Sequence, residues 1–167
     1  MNVTLPLTIA DADVIIPPPT DRTNLSSYLS WIWRQHFGDI APTNTVSITY
    51  GYPWKSRLGQ IRLSEDGKIS RIDINTLLQL KPVPEEVLLT TIAHEVVHYV
   101  HGFGSPLPKK YRHPHAHQVV SRELEQREIG EWLQYCEAWV NQSWWAFYHE
   151  QRESNWSGLT WSPRSRS

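Results

Sequence analysis

Apolar residues recur along the chain with two different periods, and the periods divide it into elements. Leu25, Tyr28, Leu29, Ile32 and Trp33 recur at helical spacing. The spacing predicts a first helix capped by Asp21 or Thr23 and ended by Gly38. Thr45–Tyr50, Leu58–Leu63 and Ile69–Ile74 alternate instead, as half-buried strands do, and Asp66-Gly67 is a hairpin turn signal between the last two. Asn75–Leu80 reads as a short helical turn before Pro82. Val87, Leu88, Leu89, Ile92, Val96, Val97 and Val100 then give a broad apolar surface. That helix is opened by Pro84-Glu85-Glu86 and closed by Gly102, with Gly104-Ser105-Pro106 forbidding its continuation. A breaker-rich loop, 103–112, precedes a helix that starts at Pro114 and carries Val119, Val120 and Leu124. Residues 129–151 form a longer helix bearing Ile129, Leu133, Cys136, Val140, Trp144, Phe147 and Tyr148. The layout is α+β: an N-terminal helix, a three-stranded antiparallel sheet, a central helix and C-terminal helices.

Composition narrows this to one globular domain of 167 residues with 40% hydrophobic content. Residues 1–20, with Pro17-Pro18-Pro19, read as an extended N-terminal arm, 21–151 as the folded domain, and 152–167 as a polar, flexible tail. Sixteen basic and seventeen acidic residues leave a net charge of −1, so no global field recruits nucleic acid or a membrane. The lone Cys136 excludes a disulfide framework or a four-cysteine zinc ribbon within the chain and reads as a small core residue. His36 reads as a surface residue. No stretch approaches the roughly 18 apolar residues of a membrane span. Asp11 and Asp13 interrupt any leader-like apolar run. A cytoplasmic monomer is the expectation.

The chemistry lies in the central helix, within Thr91-Ile-Ala-His-Glu-Val-Val-His-Tyr-Val-His101. Helical residues four apart stand one above the other, so His94 and His98 can reach one zinc ion about 2 Å away. Glu95, turned about 100° around the helix, is placed beside the metal to take a proton from a zinc-bound water. This arrangement is that of a zinc hydrolase, most often a metallopeptidase. A buried helix holding two histidines and a glutamate needs partners for them, and a metal supplies those. Third-ligand candidates are His113, His115 and His117 directly after the motif helix, or Glu137 further on. His101 reads as a residue that supports a ligand from behind or lies at the surface. Tyr111 or Arg112 could hydrogen-bond an oxyanion, and Asp73 or Asn75 could orient a ligand histidine.

Together these pieces resemble the SprT-like zinc metallopeptidases, the group that includes Spartan. The resemblance runs from about Ser26 to Leu124, through Arg57-Leu-Gly-Gln-Ile61, Ile72-Asp-Ile-Asn75, the His94-Glu95-x-x-His98 helix and a later histidine. It implies a zincin-type fold, a zinc cofactor, Glu95 as general base and a protein or peptide substrate. The family's third ligand stands in a His-Gly-x-x-aromatic context. His115-Ala116-His117-Gln118-Val119 matches best, with Ala116 for glycine and no aromatic, and His113 stands at another spacing the family uses. The resemblance thus favours His94, His98 and His115 as ligands.

It also implies action on DNA-associated proteins. The chain has no zinc ribbon, but Arg152, Trp156, Trp161, Arg164 and Arg166 offer a secondary route to single-stranded DNA. The rival readings are a zinc-stabilised binding protein without turnover and a zinc hydrolase of non-peptide bonds.

Overall fold

A computed structural model describes residues 16–157 and Leu159. Its elements are α1 (Leu25–His36), β1 (Thr45–Tyr50), β2 (Gly59–Leu63), β3 (Ile69–Ile74), a 3₁₀ turn (Thr76–Gln79), α2 (Glu85–Val100), a second 3₁₀ turn (Ala116–Gln118), α3 (Val119–Gln126) and α4 (Gly130–Glu153). The class is α+β. No helix among the described residues is long and apolar enough to cross a membrane.

α2 is the axis of the molecule. Thirteen of its sixteen residues are buried, which only a helix covered on nearly all sides can sustain. It packs against β2, β3, α1, α3 and α4. α1 is tied to its start by the Tyr28 hydroxyl, which donates to the Glu85 carboxylate at 2.8 Å. Asn24, rather than Asp21 or Thr23, caps α1, its side chain accepting from the Ser27 amide at 3.2 Å. Asp21 is engaged instead by the amide and hydroxyl of Thr23.

The sheet corrects the antiparallel expectation. Its order is β1-β3-β2, with β3 antiparallel to β2 but parallel to β1. β2 and β3 form the hairpin that Asp66-Gly67 announces, Gly67 taking the positive φ of 72° that the turn requires. β3 then enters beside β1, so β2 is left at an edge. Burial explains the order. Ser70, Ile72, Asp73 and Ile74 make β3 the most enclosed strand, whereas β2 ends in exposed residues.

Two further readings are corrected. His36 is not free at the surface: its Nδ1 lies 2.8 Å from the Arg127 carbonyl oxygen, and its ring packs edge-on to Trp31 and Trp132. The helix expected from Pro114 begins only at Val119, because His117 and Gln118 adopt left-handed backbone (φ 51° and 58°) that interrupts the 3₁₀ turn and that an α-helix cannot run through. At the other end, α4 continues to Glu153, and Trp156 packs edge-on to Tyr148 at 5.7 Å. Trp161, Arg164 and Arg166, and most of the N-terminal arm, lie outside the described residues.

Candidate metal centre

The site is built on one face of α2. At about 100° per residue from Thr90, His94 falls near 40°, His98 near 80°, Thr91 near 100° and Glu95 near 140°. The His94 and His98 rings accordingly stand edge-on with centroids 4.7 Å apart. His115 reaches them from the segment after α2, 5.3 Å from the His94 ring and 4.7 Å from that of His98. One ring nitrogen from each of the three lies within 4.8 Å of the others. His113 and His117 are exposed and outside this group, and Glu137 also stays outside it. His101 is fully buried elsewhere, with Nε2 3.4 Å from Glu123 and Tyr111 edge-on to its ring.

The electrostatics suit a cation. Burial pushes the pKa of His94 down to about 4, helped by the neighbouring His115. Burial pushes that of His98 to about 3, with further contributions from His94, His115 and His101. Both are therefore neutral imidazoles at neutral pH, the form that ligates metals. His98 is 6% exposed, and its Nδ1 has no hydrogen-bond partner among the described residues. Three converging histidines, of which His98 has a buried nitrogen left over, fit a metal ion better than any set of protein hydrogen bonds present. Glu95 is 4% exposed, and burial pushes its pKa up to about 8 against the opposing pull of Arg57.

These groups line a cavity of about 910 Å³ between β2 and α4. Glycine is required at the β2 contact: a Cβ on Gly59 would lie 2.9 Å from Glu95 Oε1 and 3.0 Å from Thr91 Cγ2. The edge strand thus runs directly over the glutamate. Arg57, just before it, lies over the Trp54 ring and donates to the Gln60 side chain.

Asn75 does not orient a ligand. Its Nδ2 donates to the carbonyls of Trp54 and Arg57, both at 2.8 Å, which fastens the loop that presents Arg57. Asp73 likewise serves the sheet, bound by Arg62 at 2.8 Å and Gln60 at 3.0 Å. Tyr111 and Arg112 are exposed and do not line the cavity. Cys136 does line it, with its thiol pushed up to about 12 by burial, which makes it a wall and not a nucleophile.

Gly59, Thr90 and the wall formed by α4 were not singled out in the sequence. A glycine inside an alternating strand is the signal for close backbone approach. The α4 wall has no comparable sign, since its spacing is also that of a core helix. No protein-family model matches this chain, and no curated protein matches it.

Proposed function

We propose that the chain is a zinc-dependent peptidase. The observation that carries the reading is the placement of Glu95 beside three converging histidines, in a cavity whose rim is the edge strand β2. An edge strand offers unpaired backbone N–H and C=O groups, which an extended peptide can pair with. That favours a peptide over a small ester or amide. The resemblance to SprT-like peptidases supports the same reading and extends it to DNA-associated proteins as substrates.

His94, His98 and His115 would hold the zinc. Bound there, it supplies Lewis acidity towards water and towards the scissile carbonyl. Glu95 performs the proton transfers: its carboxylate takes a proton as water adds to the carbonyl carbon, then passes it to the amine nitrogen as the C–N bond breaks. Gly59 and the packing of α2 hold Glu95 at the rim of β2, where an extended substrate backbone would lie. Phe103, whose ring is 6.5 Å from that of His98, and Pro114 narrow the access of bulk water.

The test compares zinc-loaded wild type with Glu95→Gln on an unfolded protein and on a DNA-bound protein, with and without single-stranded DNA. Loss of general-base action predicts a fall in turnover of roughly 10²- to 10⁴-fold with zinc retained. Equal absence of cleavage in both proteins, each holding one zinc, would replace the peptidase with a zinc-stabilised binding protein. Glu95-dependent turnover of small esters alone would point to a non-peptide hydrolase.

A further inference from the structure

We propose that the α4 side of the cavity is a specificity pocket for a lysine or arginine side chain of the substrate, with Glu137 as its charge partner. The inference rests on the peptidase reading and specifies which peptides the site takes.

Thr90 lies one turn before His94 on the same face of α2, so the floor of the cavity continues from the histidines towards α4. Leu133, Cys136, Glu137, Val140 and Asn141 share one face of α4, at i, i+3, i+4, i+7 and i+8, and all line the cavity. Two polar groups there lack a strong partner. Thr90 is 3% exposed, and the Cys136 thiol, a weak partner, is all that its hydroxyl meets among the described residues. A buried hydroxyl with only a thiol beside it has lone-pair capacity that a ligand's donor can use.

Glu137 is exposed at the mouth, and no hydrogen bond or ion pair engages its carboxylate among the described residues. The cavity's one lysine or arginine, Arg57, lies just before β2 and donates to the Gln60 side chain.

The ligand chemistry follows from these features. An acidic side chain would face Glu137 without a counter-charge. A short apolar one would leave the Thr90 hydroxyl with only the thiol beside it. A lysine or arginine meets both conditions: its methylene stem lies on Leu133 and Val140, and its terminal N–H groups donate to Thr90 Oγ1 and the Glu137 carboxylate.

The experiment reads binding separately from turnover. Zinc-loaded Glu95→Gln protein is titrated by fluorescence anisotropy with hexapeptides that differ at one scanned position, occupied by lysine, norleucine or glutamate. At one position lysine is expected to bind about fivefold tighter than norleucine, with glutamate weakest, as suits a pair at the solvent margin. Adding Glu137→Gln should bring the lysine-to-norleucine ratio to about one, and Glu137→Lys should invert the order in favour of glutamate. A ratio of one at every position with Glu137 intact would overturn the proposal, and so would a lysine preference that survives Glu137→Gln. Wild-type turnover of the same peptides is measured in parallel. A Glu137-dependent lysine preference without any cleavage would reject the peptidase and keep the pocket.

Discussion

His98 and His101 are both buried, three residues apart at the end of α2, but the protein provides for them differently. Each keeps a buried Nδ1 without a hydrogen-bond partner among the described residues, so the difference lies at the other nitrogen: the Nε2 of His101 faces Glu123, and Glu123 is bound by the Arg127 guanidinium at 2.8 Å. Burial opposes the Glu123 carboxylate, but its hydrogen bonds with Arg127 and His101 outweigh that and hold its pKa below the usual value. His98 has no such acid. Its close neighbours are His94, His115 and Phe103. One histidine is thus part of a folding network and the other is held ready for a cation. The contrast shows that burial alone does not identify a metal ligand, whereas burial without a protein acid nearby is informative.

The largest effect should come from removing that readiness. A four-ligand structural zinc site is worth roughly 10–16 kcal/mol, so each protein ligand carries about 3–4 kcal/mol. His98→Ala should weaken zinc by about 300-fold in chelator competition and take turnover to background. His101→Leu should change zinc affinity by no more than about twofold. Retention of tight zinc by His98→Ala would remove the distinction, and loss of zinc from His101→Leu would move His101 into the site.

The pH dependence sharpens the comparison in metal-free protein. The folded pKa of Glu95, about 8, lies above its ordinary value of 4.5. Its ionisation therefore destabilises the fold, a penalty absent at low pH that grows until pH passes about 8. His94 and His98 act in the opposite sense. Their folded pKa values are depressed to about 4 and 3, so the stability they contribute is complete above their ordinary value of 6.5 and lost as pH falls.

Glu95→Gln removes only the first term. Its stability relative to wild type should rise by about 2 kcal/mol between about pH 6 and pH 8, because the amide's own burial cost is the same at both. Urea denaturation at the two pH values measures this. A difference that stays flat would mean that Glu95 is ionised and well solvated without metal. Zinc should narrow the gap, since a nearby dication favours the carboxylate.

Much of this contrast was legible in the chain. The α2 pattern and its closing glycine placed His94, Glu95 and His98 on one buried helix, because a helical period fixes which side chains share a face. Period-two alternation located the strands without saying which pair, so the parallel β1–β3 contact was missed. The start of α3 failed for a local reason: left-handed backbone at His117 and Gln118 leaves no mark in a hydrophobic pattern. The burial of His101 was not legible because its partners, Glu123 and Arg127, come from α3 and the turn after it, and only tertiary packing brings them together. His115 was favoured by resemblance, since spacing alone left it level with His113 and His117.

The smallest effects belong to the network that serves His101, and they test whether it is purely structural. Arg127, its side chain 12% exposed, joins Glu123, the His36 carbonyl and Asp39, and lies over the Phe37 ring at 4.5 Å. Arg127→Ala leaves the half-buried Glu123 without its main partner, which should cost about 2 kcal/mol in urea denaturation. Asp39 is 62% exposed at the other end, so solvent screens its pair with Arg127, and Asp39→Asn should cost well under about 1 kcal/mol. Neither change should alter zinc affinity, because neither residue is among the three converging histidines or lines their cavity. A shift in zinc affinity with Arg127→Ala would show that His101 passes the state of the network to its neighbour His98, and the two histidines would then belong to one site.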